Sequence, residues 1–471
     1  MPITKKKESN VTGYLASFCF FIPTLAVFLW FRNVQPTPYM DEIFHVPQAL
    51  NYCNGSYDKW DPMITTLPGL YIVSVTLLRP LSYLTKMDVA DICDISLLRA
   101  TNILFTVGNL WFLYRLQKRI NKYERNISNS RYIMTAVNLA SLPLLYFFTF
   151  LYYTDVGSTF FILLMYLRYL EERHVSSAIF GACAIMFRQT NIVWVVFIAG
   201  IIVAREVEKS TKLESHITHS FVLHSITTAI MSVLTHIHKV PNFMFLFILL
   251  SPYLILMCGF AIFIYVNDGI VVGDRTSHQA VLNFPQIFYF FSFTLGLGVP
   301  FLITPSKVIA FLKACLRNIF ILAILIAISV ALITNFTYVH TYLLADNRHY
   351  TFYVWKNVFS RHEFVRFALI PMYLYAGWSM FDSIDTEPGT YLFKIVFFIC
   401  IMASTVPQKL MEFRYFIIPY LLARLHMRTG SYVQIGAEFI LYQTINVVTL
   451  YLFAYKPFTW PQSNDIQRFM W

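Results

Sequence analysis

Long apolar runs separated by short polar clusters make up almost the whole chain. A helix needs about 20 apolar residues to cross roughly 30 Å of hydrocarbon, and about ten to thirteen such runs can be placed. The first, Tyr14 to Phe31, follows Lys5, Lys6 and Lys7 without a small-residue cleavage site, which predicts an uncleaved signal anchor with a cytosolic N-terminus. Arg32 onward then faces the lumen. The run Thr66 to Leu84 opens on Pro68-Gly69 and contains Arg79-Pro80, poor material for a lipid-facing span. If it crossed, the next run, Leu97 to Leu116, would export RLQKRINKYER against the positive-inside rule. An interfacial or re-entrant helix is therefore expected, inside a first luminal loop of about residues 32–96.

Alternation from there predicts spans at Arg131–Leu151, Gly157–Leu170, Ser176–Phe187 and Ile192–Ala204, with YYTDVGS (152–158) and FRQTN (187–191) on the luminal side. Residues 209–240, rich in His and Ser, read as a cytosolic connector between an N-terminal module (1–208) and a C-terminal transmembrane region (241–471). Spans at Pro241–Val266, Phe284–Ile303 and Asn318–Asn335 follow, and beyond Tyr350 the charge pattern leaves the register open by one crossing.

Composition agrees with an all-α polytopic membrane protein. The chain is 57% hydrophobic and 13% charged, against about 25% charged for a soluble domain. The net charge of +11 sits in loops between apolar runs, so nucleic acid is not an expected partner. The seven cysteines show no CxxC or Cys/His spacing, and no metal site is expected. Cys53 and Cys93 share the first loop, which leaves a disulfide open there, and Asn54-Gly55-Ser56 is a glycosylation sequon on the same loop.

Polar residues in this apolar chain carry the candidate chemistry. Asp41 and Glu42, at a luminal membrane edge, read either as a general base or as first-turn acids of a helix over Glu42–Leu50. His45, Gln48 and Asp61 lie nearby in sequence, and Asp61-Pro62 after Trp60 also suits a turn or cap. Asp155 reads as a helix N-cap or a sugar contact. Arg188, Gln189 and Asn191 interrupt an apolar run, either as a functional intramembrane group or as a snorkelling arginine with its neighbours. Asp346, Asn347, Arg348 and His349 form the densest late cluster, joined by Lys409, Glu412 and Arg414. Arginine forks suit a lipid phosphate; an ion pair locking two helices is the competing account.

The stretches YMDEIFHVPQA (39–49), WDPMITTLPGLY (60–71), YYTDVGSTFF (152–161), FRQTNIVW (187–194), VVGDRTSHQA (271–280), LLADNRHYTFYVW (343–355), VPQKLMEFRYF (406–416) and RFMW (468–471) resemble, in order, those of the eukaryotic ER α-1,2-glucosyltransferases. That family adds the third, terminal glucose to the dolichol-linked oligosaccharide. The one departure is YVHTYLL, where a Pro often follows the His. The resemblance implies a GT-C type glycosyltransferase in the ER membrane, among its lipids, with dolichyl phosphate glucose as donor and dolichyl-diphosphate-linked Glc2Man9GlcNAc2 as acceptor, and without metal or other cofactor. It places the catalytic base at Asp41, with Glu42 second. Arg348 is the first candidate for the donor phosphate, followed by Arg414, Lys409 and His349. Candidate substrate contacts are His45, Gln48, Trp60, Asp61, Asp155, Arg188, Gln189 and Asn347. A β-linked donor and an α-linked product imply inversion, hence a single displacement with one base. A transporter is the main rival class, but the chain shows no paired halves with matching broken helices. A non-catalytic partner of a membrane complex, the third alternative, would tolerate loss of Asp41.

Overall fold

A computed structural model describes residues 11–122, 127–211, 243–275, 279–384 and 391–471. Lys5–Lys7 and nearly all of the connector expected at 209–240 lie outside the described residues. The architecture is a helical bundle carrying one short β-hairpin. Its N-terminal half includes α1 (Val11–Val34), α2 (Glu42–Cys53), α3 (Gly69–Thr85), α4 (Ile95–Ile120), α5 (Asn129–Ala140), α6 (Thr154–Leu170) and α7 (His174–Phe187). The central helix is α4, which packs on α1, α5 and α6, while α6 packs along α7.

Among the described residues five helices are long and apolar enough to cross a membrane: Val11–Val34, Gln189–Val207, Met244–Asn267, Ile319–Phe336 and Tyr432–Tyr455. The pair Asn129–Ala140 and Pro143–Phe150, bent by 64°, brings the number to six if it forms one span. The protein is a multi-pass membrane protein. Fewer spans pass this test than the apolar runs suggested, for local reasons. The run 284–303 breaks at Gly298 into Pro285–Leu297 and Val299–Leu302. Helices α6 and α7 have only 17 and 14 residues, and α4 carries Arg99, Arg115, Lys118 and Arg119. The charged and broken pieces pack inside the bundle. By contrast, only 11% of the apolar window of Met244–Asn267, and the same share of Ile319–Phe336, is buried.

The segment between α1 and α4 folds over one end of this bundle. Gly69 opens α3 against the C-terminal end of α7, where a Cβ would lie 2.6 Å from the Met186 backbone carbonyl. A disulfide joins Cys53, at the end of α2, to Cys93. The strongest anchor is buried charge. Glu42 Oε1 and Oε2 accept 2.8 and 2.6 Å hydrogen bonds from Arg99 of α4, and also accept from the backbone N–H groups of Tyr152 (2.6 Å) and Tyr39 (3.0 Å). Arg99 completes its fork on the carbonyls of Gln35 and Thr37. Every charge in this network is matched, which is the condition under which ions persist in an apolar interior.

After the last long helix, Tyr432–Tyr455, the chain forms an antiparallel hairpin of β1 (Phe458–Trp460) and β2 (Ser463–Gln467), which the apolar pattern did not predict. Strands this short carry too little alternation to register.

Removing one partner of a buried ion pair costs about 3–5 kcal/mol because the other charge stays stranded. Arg99→Ala is therefore expected to melt far below the native protein in detergent. The double variant Glu42→Gln/Arg99→Met, which strands no charge and keeps one acceptor oxygen for either the Tyr39 or the Tyr152 N–H, should recover part of the loss. A double variant no more stable than Arg99→Ala would show that the ion pair is not what anchors this segment.

Candidate active site

Asp41 and Glu42 are sequence neighbours with opposite surroundings. The Glu42 side chain is 0% exposed and fully occupied, whereas that of Asp41 is 47% exposed. Asp41 stands at the N-cap position of α2, yet its carboxylate makes no capping hydrogen bond. Its backbone N–H donates to the Tyr153 hydroxyl at 3.1 Å, and Oδ2 lies 3.8 Å from Arg414 Nη1. The preceding residue, Met40, holds φ 55, a left-handed turn uncommon outside glycine.

Arg414 is the hub. Its Nε donates to Glu412, and Nη1 lies 3.7 Å from Asp155 Oδ2 as well as near Asp41. The guanidinium rests on the rings of Phe148 and Tyr153, 5.2 and 5.4 Å from their centroids, a favourable cation–π seat. Burial works against the Arg414 charge, but Glu412, Asp155 and Asp41 outweigh it and raise its pKa well above the ordinary value. Burial likewise pushes the Glu412 carboxyl up, and Arg414, Arg188 and His349 more than reverse this, leaving it below its ordinary value.

Asp155 lies in the first turn of α6 but does not cap it; the N-cap position belongs to Tyr153. Instead its Oδ1 pairs with Arg188 Nη2 at 2.9 Å, while its buried Oδ2 has no hydrogen-bond partner. Arg188 sits in extended backbone between α7 and the turn Gln189–Asn191, and its Nε donates to Thr154 Oγ1 at 3.3 Å. Its guanidinium thus turns to α6. These groups border a small cleft, partly open to the outside, into which Asp155, Arg188 and Arg414 face. Ser158, Asn191 and Ser404 add hydroxyl and amide groups to its lining, and Trp194 and Ile418 add an apolar wall. Asp41 is not part of the cleft lining but adjoins it through Arg414, whose Nη1 lies near both Asp41 and Asp155.

Other sequence candidates are placed around this centre. His45 shares a 2.5 Å hydrogen bond with the Tyr71 hydroxyl, and burial lowers its pKa despite Asp41 nearby. Gln48 is a loop clamp, donating to the Lys59 carbonyl (2.7 Å) and accepting from the Asp61 N–H (3.0 Å). Asp61 accepts from the Met63 N–H in a turn, Trp60 donates to the Ile64 carbonyl, and Gln189 donates to the Thr65 carbonyl. Arg348, first in line for the phosphate from the sequence, does not line the cleft. Its fork closes on Asp346 at 2.8 and 2.7 Å, Nη1 donates to Gln467, and the guanidinium stacks 4.7 Å from the Trp460 centroid. The ion pair is therefore local to one loop and does not lock two helices. His349 Nδ1 is hydrogen-bonded to the Trp471 carbonyl at 2.9 Å, and Asn347 accepts from Trp460 Nε1. Lys409 makes no hydrogen bond or ion pair among the described residues, and its loop is held by Gln286, which donates to the Gln408 and Leu410 carbonyls.

Trp194, Ser158 and Ser404 were not singled out from the sequence. Ser158 and Trp194 close the stretches YYTDVGS and FRQTNIVW without a chemical signal of their own, and Ser404 lies within an apolar run.

A family model described as the DIE2/ALG10 family matches residues 35–425. A rat protein named Dol-P-Glc:Glc(2)Man(9)GlcNAc(2)-PP-Dol alpha-1,2-glucosyltransferase is 45% identical over 475 residues, covering 98% of this chain and 100% of the rat protein. A human protein of the same name is 44% identical with the same coverage. One from Arabidopsis thaliana is 34% identical over 93% of this chain and 96% of its own. No solved structure matches the chain.

Burial acts to raise the Asp346 carboxyl, but the Arg348 fork and the nearby His349 outweigh it and hold the group below its ordinary value of 3.8. A depressed carboxyl contributes stability that is complete above the unfolded value and is lost as pH falls through the folded one. Asp346→Asn is expected to melt below the native protein at about pH 6, and the gap should narrow as pH drops below about 4. A gap independent of pH in thermal melts would contradict this.

Proposed function

The chain belongs to the DIE2/ALG10 family, and from that premise we propose how it transfers glucose from dolichyl phosphate glucose to dolichyl-diphosphate-linked Glc2Man9GlcNAc2 in α-1,2 linkage. Asp41 is the base, and Arg414 with Arg188 holds the phosphate. The observation that carries this reading is one half-exposed carboxylate, Asp41, set 3.8 Å from a buried arginine that itself faces a polar cleft. Glu42, with both oxygens occupied, is a positioning residue.

The acceptor's 2-hydroxyl of its terminal glucose gives its proton to Asp41 as its oxygen attacks the donor's anomeric carbon. The bond from that carbon to the phosphate oxygen breaks on the opposite face, and its electron pair leaves with dolichyl phosphate. Inversion in one displacement turns the β-linked donor into the α-linked product. The leaving group needs no proton, only preorganised positive charge in a site poor in water. Charge balance in the cluster favours this sequence of events. Before reaction two guanidiniums (Arg188, Arg414) face three carboxylates (Asp41, Asp155, Glu412), a net of −1. Protonation of Asp41 brings the net to zero just as the leaving phosphate gains a negative charge. Arg414, relieved of one carboxylate, is free to turn its Nη1 to that phosphate, with Lys409 adding a further cation on the same loop. The neighbouring cleft is lined by the polar Ser158, Asn191 and Ser404 and by Trp194, groups that match the hydroxyls at a glucosyl ring's edge and the C–H groups on its face. Charge placement along the chain turns this end of the bundle to the ER lumen, with the N-terminus cytosolic.

A well-placed general base contributes typically 10²–10⁴-fold, and loss of one charge-stabilising donor costs about 10²–10³ in kcat. Asp41→Asn should lower kcat at least about a hundredfold in an assay with purified protein, dolichyl phosphate glucose and the diglucosylated acceptor. Arg414→Gln should lose about as much, and Arg348→Gln markedly less. Native transfer by Asp41→Asn would falsify the assignment of the base, and a larger loss from Arg348→Gln than from Arg414→Gln would move the phosphate site.

A further inference from the structure

We propose that residues 467–471, at the end of β2, form a strap that sets the position of Asp41 against the cationic side of the site, with Tyr39 and Arg468 as its positioning residues. The inference rests on Asp41 being the base.

The distant stretches 39–42 and 412–414 belong to the site, the stretch 346–350 lies outside the cleft, and the strap touches all three. Toward the base, the Tyr39 hydroxyl donates to the Arg468 carbonyl at 2.7 Å and accepts from the Arg468 N–H at 2.8 Å. Burial pushes this hydroxyl up to about 12 despite the Arg468 N–H, so it keeps the proton it donates. Toward the second stretch, Met470 N–H donates to the Arg348 carbonyl and Tyr350 N–H donates to the Met470 carbonyl, at 2.9 and 3.1 Å. Gln467 Oε1 accepts from Arg348 Nη1, and the Trp471 carbonyl meets His349 Nδ1. Toward the third, the Trp471 ring lies edge-on to Phe413, centroids 6.2 Å apart, one residue before Arg414.

The strap is itself fixed to the bundle by one side chain. Arg468 donates to the carbonyls of Val34 (3.0 Å), Phe453 (2.8 Å) and Ala454 (3.1 Å), and to Gln35 Oε1 (2.9 Å). Those carbonyls belong to the last turns of α1 and of Tyr432–Tyr455, where helix geometry leaves them without partners. Four oxygens around one planar fork is a task a lysine cannot perform. Between the Tyr39 clamp and the Glu42–Arg99 anchor lies only Met40, in its left-handed turn, and then Asp41. With both neighbours tied, the direction of the Asp41 side chain is set. Without the Tyr39 hydroxyl, the turn at Met40 is the place that relaxes.

Misplacing a catalytic group by about 1 Å can cost up to 10²-fold in rate. Tyr39→Phe keeps the ring that packs edge-on against Phe453 at 5.6 Å and removes only the clamp; Arg468→Lys keeps the charge and removes the fork. Each is expected to lower kcat about ten- to a hundredfold, with both KM values within about twofold of native and with an unchanged melting temperature for Tyr39→Phe. Native kcat in Tyr39→Phe overturns the proposal, as does a rise in KM at native kcat, or a fall in melting temperature large enough to explain the lost rate. Asp41→Asn assayed in parallel separates the two levels. An active Asp41→Asn removes the base itself, whereas an inactive Asp41→Asn beside a native Tyr39→Phe removes the strap alone.

Discussion

The buried pair of Glu42 and Arg99 decides how the first polar loop meets the bundle. An ionised carboxylate and a guanidinium taken from water into an apolar interior must satisfy one another almost completely, and here they do so with the help of two backbone N–H groups and two carbonyls. That geometry has a direct consequence for the neighbouring residue. With Glu42 turned into the protein at the first turn of α2, Asp41 beside it is left half-exposed and faces Arg414. Two adjacent acids with the same intrinsic chemistry thereby receive different tasks, one holding the scaffold and one open to substrate.

The second constraint is charge density at the edge of an apolar bundle. Asp41, Asp155, Glu412, Arg188 and Arg414 come from four separate regions of chain, and none of them lies in a long membrane-spanning helix interior. Three of them, Asp41, Asp155 and Arg414, are short of ideal partners. Asp155 Oδ2 has no hydrogen-bond partner, and the contacts from Arg414 Nη1 to Asp41 and Asp155, at 3.8 and 3.7 Å, are longer than hydrogen bonds. A cluster that is nearly but not fully satisfied has capacity left for a phosphate and a sugar hydroxyl. The fully matched pairs, Glu42–Arg99 and Asp346–Arg348, have little such capacity, which explains why Arg348 is the weaker candidate for the phosphate although it sits in the most conspicuous charged motif of the chain.

Holding such a cluster together requires ties between stretches hundreds of residues apart. The disulfide from Cys53 to Cys93 closes the first loop on itself. The hairpin and the segment that follows it reach across to Tyr39, Arg348 and Phe413 with backbone hydrogen bonds and ring contacts. Backbone pairing and neutral hydrogen bonds fix distances without adding charge, so the electrostatics of the cleft remain those of its own five ionised groups.

What could be read in the sequence alone was whatever is written in composition and charge: a polytopic helical membrane protein, the polar first loop beside the first span, and charged residues standing out against apolar surroundings, Asp41, Asp155, Arg188 and Arg414 among them. Those signals are local, because the cost of placing a charge near lipid makes each one conspicuous on its own. Pairing is not local. Nothing in the order of residues distinguishes Asp41 from Glu42, joins Arg188 to Asp155, closes Arg348 on its own neighbour, or brings Trp194 and Ser404 to one cleft. Each of these depends on which helix faces are brought into contact, and only the packed chain, which must match every buried charge and hydrogen-bonding group at once, decides that.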